Sequence, residues 1–317
     1  MFFCYRILSA FAYTLLKGVA LFSPKLLAFV KGRSHTFSTL TKKLNPSKPT
    51  VWFHCASLGE FEQGLPVMRA FLKQNSHYQL VVSFFSPSGY NVRKDTDIAT
   101  AVVYLPWDSL TRAKRFIQLV KPDFAFFIKY EIWPAYLQVL KKKQIPTFLI
   151  SALFRANQIY FKWYGGFMRK WLFCFEHIFL QTHAAGQQLE TVYKKPYTIS
   201  GDTRFDRVSQ QLLTDNALPF LEAFTKNKIT LVCGSTWDED LQLIKPFISE
   251  MPEQCCLILA PHKIDIPKID AFIENLNLPA IRYSLCDASK NMASYKIVIL
   301  DSVGMLSKTY SYADIAY

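Results

Sequence analysis

The sequence predicts an α/β protein made of two parallel-sheet domains in tandem, and three observations carry that prediction. Short β-rich runs alternate with helical patterns from residue 50 onward, the alternation pauses at 212–227 and then resumes, and polar residues collect just after the strands. A chain of 317 residues with half its side chains apolar can bury a core in each half.

Taken in order, the first candidate strands are 50–55 (TVWFHC), 79–85 (QLVVSFF), 101–105 (AVVYL), 123–129 (DFAFFIK), 146–151 (PTFLIS) and 177–181 (HIFLQ). Apolar periodicity places helices at 60–74, 109–120 and 132–143 between them, the last closed by Lys141-Lys142-Lys143, where cations suit a helix C-terminus. The stretch 212–227 reads as a linker with a lead-in helix. The second series has strands at 229–233 (ITLVC), 255–260 (CCLILA), 280–283 (AIRY) and 296–300 (KIVIL), with helices at 238–249, 267–276 and 303–312. Residues 313–317 read as the start of a further strand, so the second domain is expected to be incomplete as given. The domain boundaries expected are 1–48 for a basic lead-in, 49–210 for the first domain and 211–317 for the second.

Charge is divided unevenly along this frame. Residues 1–210 hold 28 Lys+Arg against 11 Asp+Glu, a net +17, and the remainder holds 9 against 13, a net −4, within a total of +13. Before Glu60 there are eight bases and no acid, interleaved with Phe2, Phe3, Phe11, Leu15, Leu16, Phe22, Leu27 and Phe29. That mixture suits an anionic lipid surface, where each base contributes on the order of 1 kcal/mol. The apolar run from Ile7 to Phe22 is interrupted by Lys17 and falls short of the roughly 20 residues of a bilayer span, so an interfacial or marginally inserted anchor is expected. A cleaved signal and an ordinary buried helix are the alternatives. Nucleic acid is not indicated, because no helix-turn-helix, zinc-finger or RNP pattern accompanies the charge. Seven scattered cysteines offer neither a disulfide framework nor metal-ligand spacing, and reduced thiols in a cytosol fit best. The usual phosphate-loop, dinucleotide and serine-hydrolase signatures are missing from the sequence.

Ligands of open α/β sheets sit beyond the carboxyl ends of the strands, which directs attention to a few short stretches. After the first strand, Ser57-x-x-Glu60 reads as a capping box. The second reading, behind the cap, is a carboxylate held ionised by the helix dipole, able to take a proton from an attacking hydroxyl, with Gly59 allowing a ligand to approach. Glu131 follows the fourth strand beside Trp133 and Pro134, where a structural role is the simpler account. Gly201-Asp202-Thr203-Arg204-Phe205-Asp206 reads as a turn, and secondarily as a ligand loop. Gly234-Ser235-Thr236-Trp237 opens a helix, so its amides and two hydroxyls suit a phosphate, although Ser235-x-x-Asp238 and Thr236-x-x-Glu239 are also plain caps. His262-Lys263 adds positive charge after the next strand, or is a solvated loop.

Together, WFHCASLGEFEQ (52–63), FFIKYEIWP (126–134), SGDTRFDRV (200–208), VCGSTWDED (232–240), APHK (260–263) and DSVGMLSKTYSYADIAY (301–317) resemble the Kdo transferases. These membrane-associated glycosyltransferases move 3-deoxy-D-manno-octulosonic acid from CMP-Kdo to a lipid A precursor, lipid IVA. The resemblance implies a GT-B fold of two Rossmann-like domains facing a cleft, and an inverting reaction without metal or other cofactor. It puts Glu60 in the role of general base, Glu131, Arg204 and Gly59 near substrate, and Ser235, Thr236, His262, Lys263 and Gly304 at the donor. It also implies a place on the cytoplasmic face of the bacterial inner membrane, anchored by the N-terminus. Lys129 stands where many relatives carry an acid, Arg204 where they carry Lys, and Met305 where glutamate is frequent. Relatives continue past the strand beginning at Asp314 into a Gly-rich loop and an Asn/Glu stretch that helps hold the nucleotide. A GT-B transferase for another sugar nucleotide and a non-catalytic membrane-bound polyanion binder are the alternative readings.

Overall fold

The structure is a computed structural model that describes residues 2–286 and 291–317, and the chain divides into two compact units, Met1–Arg207 and Val208–Tyr317. Met1 and positions 287–290 lie outside the described residues.

The first unit is built on strands β1 (Thr50–Cys55), β2 (Gln79–Phe84), β3 (Ala101–Tyr104), β4 (Phe124–Ile128), β5 (Thr147–Ala152), β6 (His177–Leu180) and β7 (Thr198–Ile199). They pair in parallel in the order β3-β2-β1-β4-β5-β6-β7, which reverses direction at β1 and β4 as in a Rossmann sheet. Every residue of β1, β2 and β3 is buried, which explains why these strands read as continuous apolar runs and not as alternating ones. Alternation still sorts the side chains. Val51, Phe53 and Cys55 join one core with Phe61 and Met68, and Trp52 joins the other with Phe116, Ile117 and Tyr136.

The second unit holds β8 (Ile229–Thr236), β9 (Cys255–Pro261), β10 (Ala280–Arg282), β11 (Ile297–Ile299) and β12 (Ile315–Ala316), all parallel in the order β10-β11-β9-β8-β12. Helices Asp238–Ser249 and Ile266–Glu274 cover one face through Ile244, Ile248 and Ile269.

Several elements differ from the expected ones. The stretch expected to turn at 201–206 enters a helix, Thr203–Leu212, because Gly201 makes the turn alone at φ 83 and the Asp202 carboxylate accepts the Arg204 amide at 3.0 Å. The helix expected over 303–312 starts only at Leu306, after Gly304 turns left-handed at φ 94, and gives way after Thr309 to a 3₁₀ turn, Tyr310–Tyr312. Strand β7, of two residues, is too short to leave a periodic signal.

The leading residues fold as helices Phe2–Ala20, Pro24–Gly32 and Thr36–Lys43, all within the first unit. Phe2–Ala20 starts five residues before the expected apolar run, and among the described residues it is the one helix long and apolar enough to cross a membrane. Arg33 ties this region down. Its buried guanidinium donates to the carbonyls of Leu105 (3.1 Å), Phe29 (2.7 Å) and Phe85 and lies 3.5 Å over the Phe29 ring, and burial lowers its pKa to about 10. A second tie runs through Asp108, which is 3% exposed and accepts the Tyr5 hydroxyl and the Ala135 amide at 3.1 Å.

Burial raises the Asp108 carboxyl from 3.8 to about 6, with the hydrogen bonds from Tyr5 and the Ala135 backbone pulling back only partly. The folded state thus keeps a proton that the unfolded chain releases, so this group's contribution to stability is complete below the unfolded pKa and is lost as pH rises through about 6. The loss is on the order of 3 kcal/mol. Asp108→Asn is expected to gain on the parent in urea unfolding as pH rises from about 4 to about 7. A gap between the two that does not change with pH contradicts the assignment.

Candidate active site

Two strained residues lie at the carboxyl ends of central strands of the first unit. Lys129, directly after β4, and Ser151, in β5, adopt left-handed φ of 68 and 52, values rarely held by residues with a Cβ unless the surroundings enforce them. Lys129 nonetheless continues the sheet, its amide donating to Ile150 at 2.9 Å, while the strain turns its side chain to within 4.0 Å of Glu60.

Glu60 lies in the first turn of the helix Leu58–Gln74, whose positive end follows β1. The expected capping box is not formed. Ser57 is the N-cap residue but makes no side-chain bond to the helix backbone; its hydroxyl donates instead to the Glu60 carboxylate. Cap and carboxylate thus become one local pair, with the Glu60 side chain 15% exposed. Gly59 is exposed, and a Cβ built there meets only the Ser57 hydroxyl at 3.7 Å, so open space lies over the helix mouth.

A second carboxylate arrives from the loop after β4. Glu131 accepts a hydrogen bond from the Trp133 indole at 2.8 Å and lies 3.3 Å from His54 Nε2. His54 is fully buried, and its Nδ1 stands 2.9 Å from the Ser83 hydroxyl, which itself accepts the Trp52 indole at 2.8 Å. At Nε2 the Glu131 carboxylate accepts, so that nitrogen carries a proton; Nδ1 meets both the Ser83 hydroxyl and, at 3.1 Å, the Ser83 carbonyl, and its direction follows the tautomer. The relay Trp52–Ser83–His54–Glu131 fixes one face of Glu131 through a buried chain that starts in the core. His54 was not singled out from sequence, although two-residue alternation from Trp52 puts it on the same face at the strand's carboxyl end.

Both carboxylates converge on the end of β1. The buried thiol of Cys55 is pushed well above its ordinary pKa by burial and by the charges of Glu60 and Glu131. Arg204 reaches this region indirectly: its guanidinium pairs with Asp202 through Nε at 2.8 Å, and Asp202 also accepts from Gln63 at 3.2 Å, one turn after Glu60. Burial raises the Asp202 pKa, but the bonds from Arg204 and Gln63 outweigh it and leave it lowered. Arg204 is therefore engaged with Asp202, although its side chain remains 67% exposed.

In the second unit, the phosphate cradle expected at a helix mouth takes a different form. Gly234, Ser235 and Thr236 belong to β8, with Ser235 at φ 56 in a bulge where the pairing with β9 shifts register. The helix begins at Asp238, and its first turn carries Asp238, Glu239 and Asp240, with the Trp237 amide already donating to Asp240 at 2.7 Å. Three acids at this helix end oppose a phosphate there. Neither Ser235 nor Thr236 caps the helix.

The bulge does bring the expected donor residues side by side. The His262 amide donates to the Thr236 carbonyl at 2.8 Å, the His262 ring stacks on Trp237 at 4.1 Å, and the Lys263 ammonium lies 5.7 Å from the same indole. Thr236 is 4% exposed, and its hydroxyl has no hydrogen-bond partner among the described residues. Thr236 and Lys263 both line a cavity of about 620 Å³ between the two covering helices, floored by Leu259 and Ile299. Gly304 leads to Leu306 and Tyr310, which pack over Gly234 so closely that a Cβ there would lie 2.0 Å from the Tyr310 hydroxyl. Among the described residues no group of three or more His, Cys, Asp or Glu side chains is placed to hold a metal ion.

Residues 31–207, which include the Glu60 and Glu131 sites, match the family model of 3-deoxy-D-manno-octulosonic-acid transferase (kdotransferase). The chain belongs to the Kdo transferase family. Among similar Kdo transferases, that of Chlamydophila psittaci is 24% identical over 85% of this chain and 63% of its own length, and that of Rickettsia felis 26% over 91% and 63%. A bifunctional glycosyltransferase/methyltransferase of Fusobacterium nucleatum is 22% identical over 96% of this chain and 49% of its own. The chain therefore spans between about half and two thirds of the length of these relatives. Among solved structures, UDP-GlcNAc 2-epimerase of Neisseria meningitidis (TM-score 0.57, 15% identity, 84% of this chain and 76% of that one) shares the fold. So does the putative UDP-N-acetylglucosamine 2-epimerase of Listeria monocytogenes (0.57, 13%, 85% and 74%). The chain thus has the GT-B type of fold, made of parallel α/β units.

Proposed function

We propose that the protein transfers Kdo from CMP-Kdo to a lipid A precursor, by an inverting, metal-independent reaction at the cytoplasmic face of the inner membrane. The observation that carries this reading is Glu60 at the mouth of the helix Leu58–Gln74, hydrogen-bonded by Ser57 beside Lys129, in a chain whose residues 31–207 match the Kdo transferase family. Glu60 is the general base: it takes the acceptor hydroxyl's proton as that oxygen attacks the anomeric carbon, and CMP departs with the bonding pair. The relay through His54 holds Glu131 as a fixed acceptor for substrate hydroxyls, and the open space over Gly59 admits the acceptor sugar. Arg204, held by Asp202, offers its remaining N–H groups to a substrate anion.

The donor phosphate is assigned to Ser235, Thr236, His262 and Lys263, with Gly304 shaping the neighbouring turn. Support comes from the unpartnered Thr236 hydroxyl and from the Trp237–His262 stack beside Lys263. Replacing Thr236 by Val removes a buried polar group without changing shape, so stability is expected to stay level or rise by about 1 kcal/mol while CMP affinity falls. Calorimetric titration with CMP checks the affinity and urea unfolding the stability; unchanged affinity removes Thr236 from the donor site.

The reading as a whole is tested with a donor panel of CMP-Kdo, UDP-sugars and GDP-sugars on a lipid A precursor. Transfer from CMP-Kdo alone supports it. Transfer from a UDP- or GDP-sugar instead makes this a different GT-B transferase, and vesicle binding with no transfer from any donor favours a polyanion-binding protein.

A further inference from the structure

The carboxyl end of β1 is an unfavourable place for an anionic sugar, because two carboxylates already stand there. Glu60 and Glu131 have side chains 15% and 16% exposed, so both charges reach an incoming ligand. Most cations of this region are engaged. The His54 ring faces Glu131 at 3.3 Å, Arg204 pairs with Asp202 at 2.8 Å, and Arg93 pairs with Glu62 at 3.0 Å.

Lys129 differs from them. Its ammonium lies 4.0 Å from the Glu60 carboxylate, beyond the roughly 2.7–3.2 Å of a hydrogen bond, and 5.5 Å from the Tyr130 ring. Among the described residues this ammonium makes no hydrogen bond, so its N–H donors can take a further anion without breaking one. The position is also held at a cost. The backbone of Lys129 is left-handed at φ 68, and its amide is fixed on the Ile150 carbonyl at 2.9 Å. Such strain persists only where the surroundings enforce it, and the side chain is 24% exposed and not packed away.

The reaction proposed above supplies the anion. The transferred sugar is a 2-ulosonic acid, whose carboxylate is bonded directly to the anomeric carbon under attack. A hydroxyl about 3 Å from Glu60 and about 3–3.5 Å from that carbon brings the sugar carboxylate within roughly 5 Å of the base. Two carboxylates so close repel, and more strongly once water is displaced. A cation flanking Glu60 offsets that repulsion.

We propose that the Lys129 ammonium binds the carboxylate of the transferred sugar, and so selects an acidic sugar over a neutral one. The new C–O bond forms at the anomeric carbon, the bond to the CMP phosphate breaks with its electron pair leaving on CMP, and the hydroxyl proton passes to Glu60. Lys129 keeps its proton throughout. This inference rests on the transfer reaction proposed above and adds to it the residue that recognises the acid.

The test compares parent and Lys129→Gln on CMP-Kdo and on the analogue whose carboxylate is converted to the primary amide. Gln keeps the length of the side chain and removes the charge. On CMP-Kdo, kcat/KM is expected to fall by about tenfold to a hundredfold, mainly through the KM of the donor, as for a lost charged hydrogen bond. On the amide, parent and variant are expected to agree within about threefold, because the group that Lys129 binds is already gone. Equal losses on both donors overturn the proposal. A loss that disappears with a dephosphorylated acceptor assigns the cation to the acceptor and overturns it as well. Lys129→Arg restores a cation and is expected to recover the preference for CMP-Kdo over the amide; it carries the comparison if Gln destabilises the first unit in urea, and an Arg variant that folds like the parent without that preference counts against the proposal. No transfer from CMP-Kdo by the parent sinks the transfer reaction itself, whereas transfer without the charge dependence sinks only the role of Lys129.

Discussion

Glu60→Gln is expected to lower Kdo transfer by two to four orders of magnitude, the range a positioned general base contributes, while folding and lipid binding persist. The amide oxygen of Gln can still accept from Ser57, so the helix mouth keeps its geometry. What disappears is the group proposed to take a proton in the transition state. The loss therefore falls on kcat with KM little changed, since an interaction made only in the transition state has been removed. Residual turnover within tenfold of the parent would falsify the assignment. Ser57→Ala separates positioning from chemistry, because it frees the carboxylate without removing it, and a smaller loss of about tenfold is expected there.

Trp52→Ala is expected to cost about 3–5 kcal/mol, as for other fully buried large aromatics. Trp52 is 0% exposed and packs against Phe116 at 5.0 Å, Phe127 at 5.2 Å and Tyr136 at 5.8 Å. It is also the first donor in the chain to Glu131, so its removal leaves the Ser83 hydroxyl free to turn away from His54. Trp52→Phe keeps most of the packing and loses the donor. Denaturant unfolding is expected to rank parent, Phe and Ala in that order. The distinguishing readout is the His54 ring, whose Nδ1 meets the Ser83 hydroxyl and is followed by nitrogen NMR; an unchanged ring in Trp52→Phe disconnects the relay from the core.

The strand runs at 50–55, 79–85 and 123–129 were legible because β1 and β2 are buried on both faces and β4 is buried but for the half-buried Phe124 and Phe126, leaving largely apolar stretches typical of a parallel sheet. Boundaries near polar residues were harder. Ser235 and Thr236 carry helix-capping residue types yet finish a strand, because the bulge absorbs one residue and the Asp240 carboxylate takes the Trp237 amide instead. The Thr203–Leu212 helix was hidden by Gly201 and Asp202, the first making the turn alone and the second capping the helix start through the Arg204 amide.

The sequence by itself determined two parallel-sheet units, the position of Glu60 at the mouth of a helix, and a basic, apolar leading segment, because each depends on residues near one another along the chain. Only the tertiary structure decided that Ser57 bonds the Glu60 carboxylate in place of an amide, that His54 links Ser83 to Glu131, and that Phe2–Ala20 turns Tyr5 and Ser9 inward to Asp108. Hydrogen-bond partners and burial are set by distance in space. His54 and Glu131 are 77 residues apart, and Tyr5 and Asp108 are 103 apart, so no local pattern records that they meet.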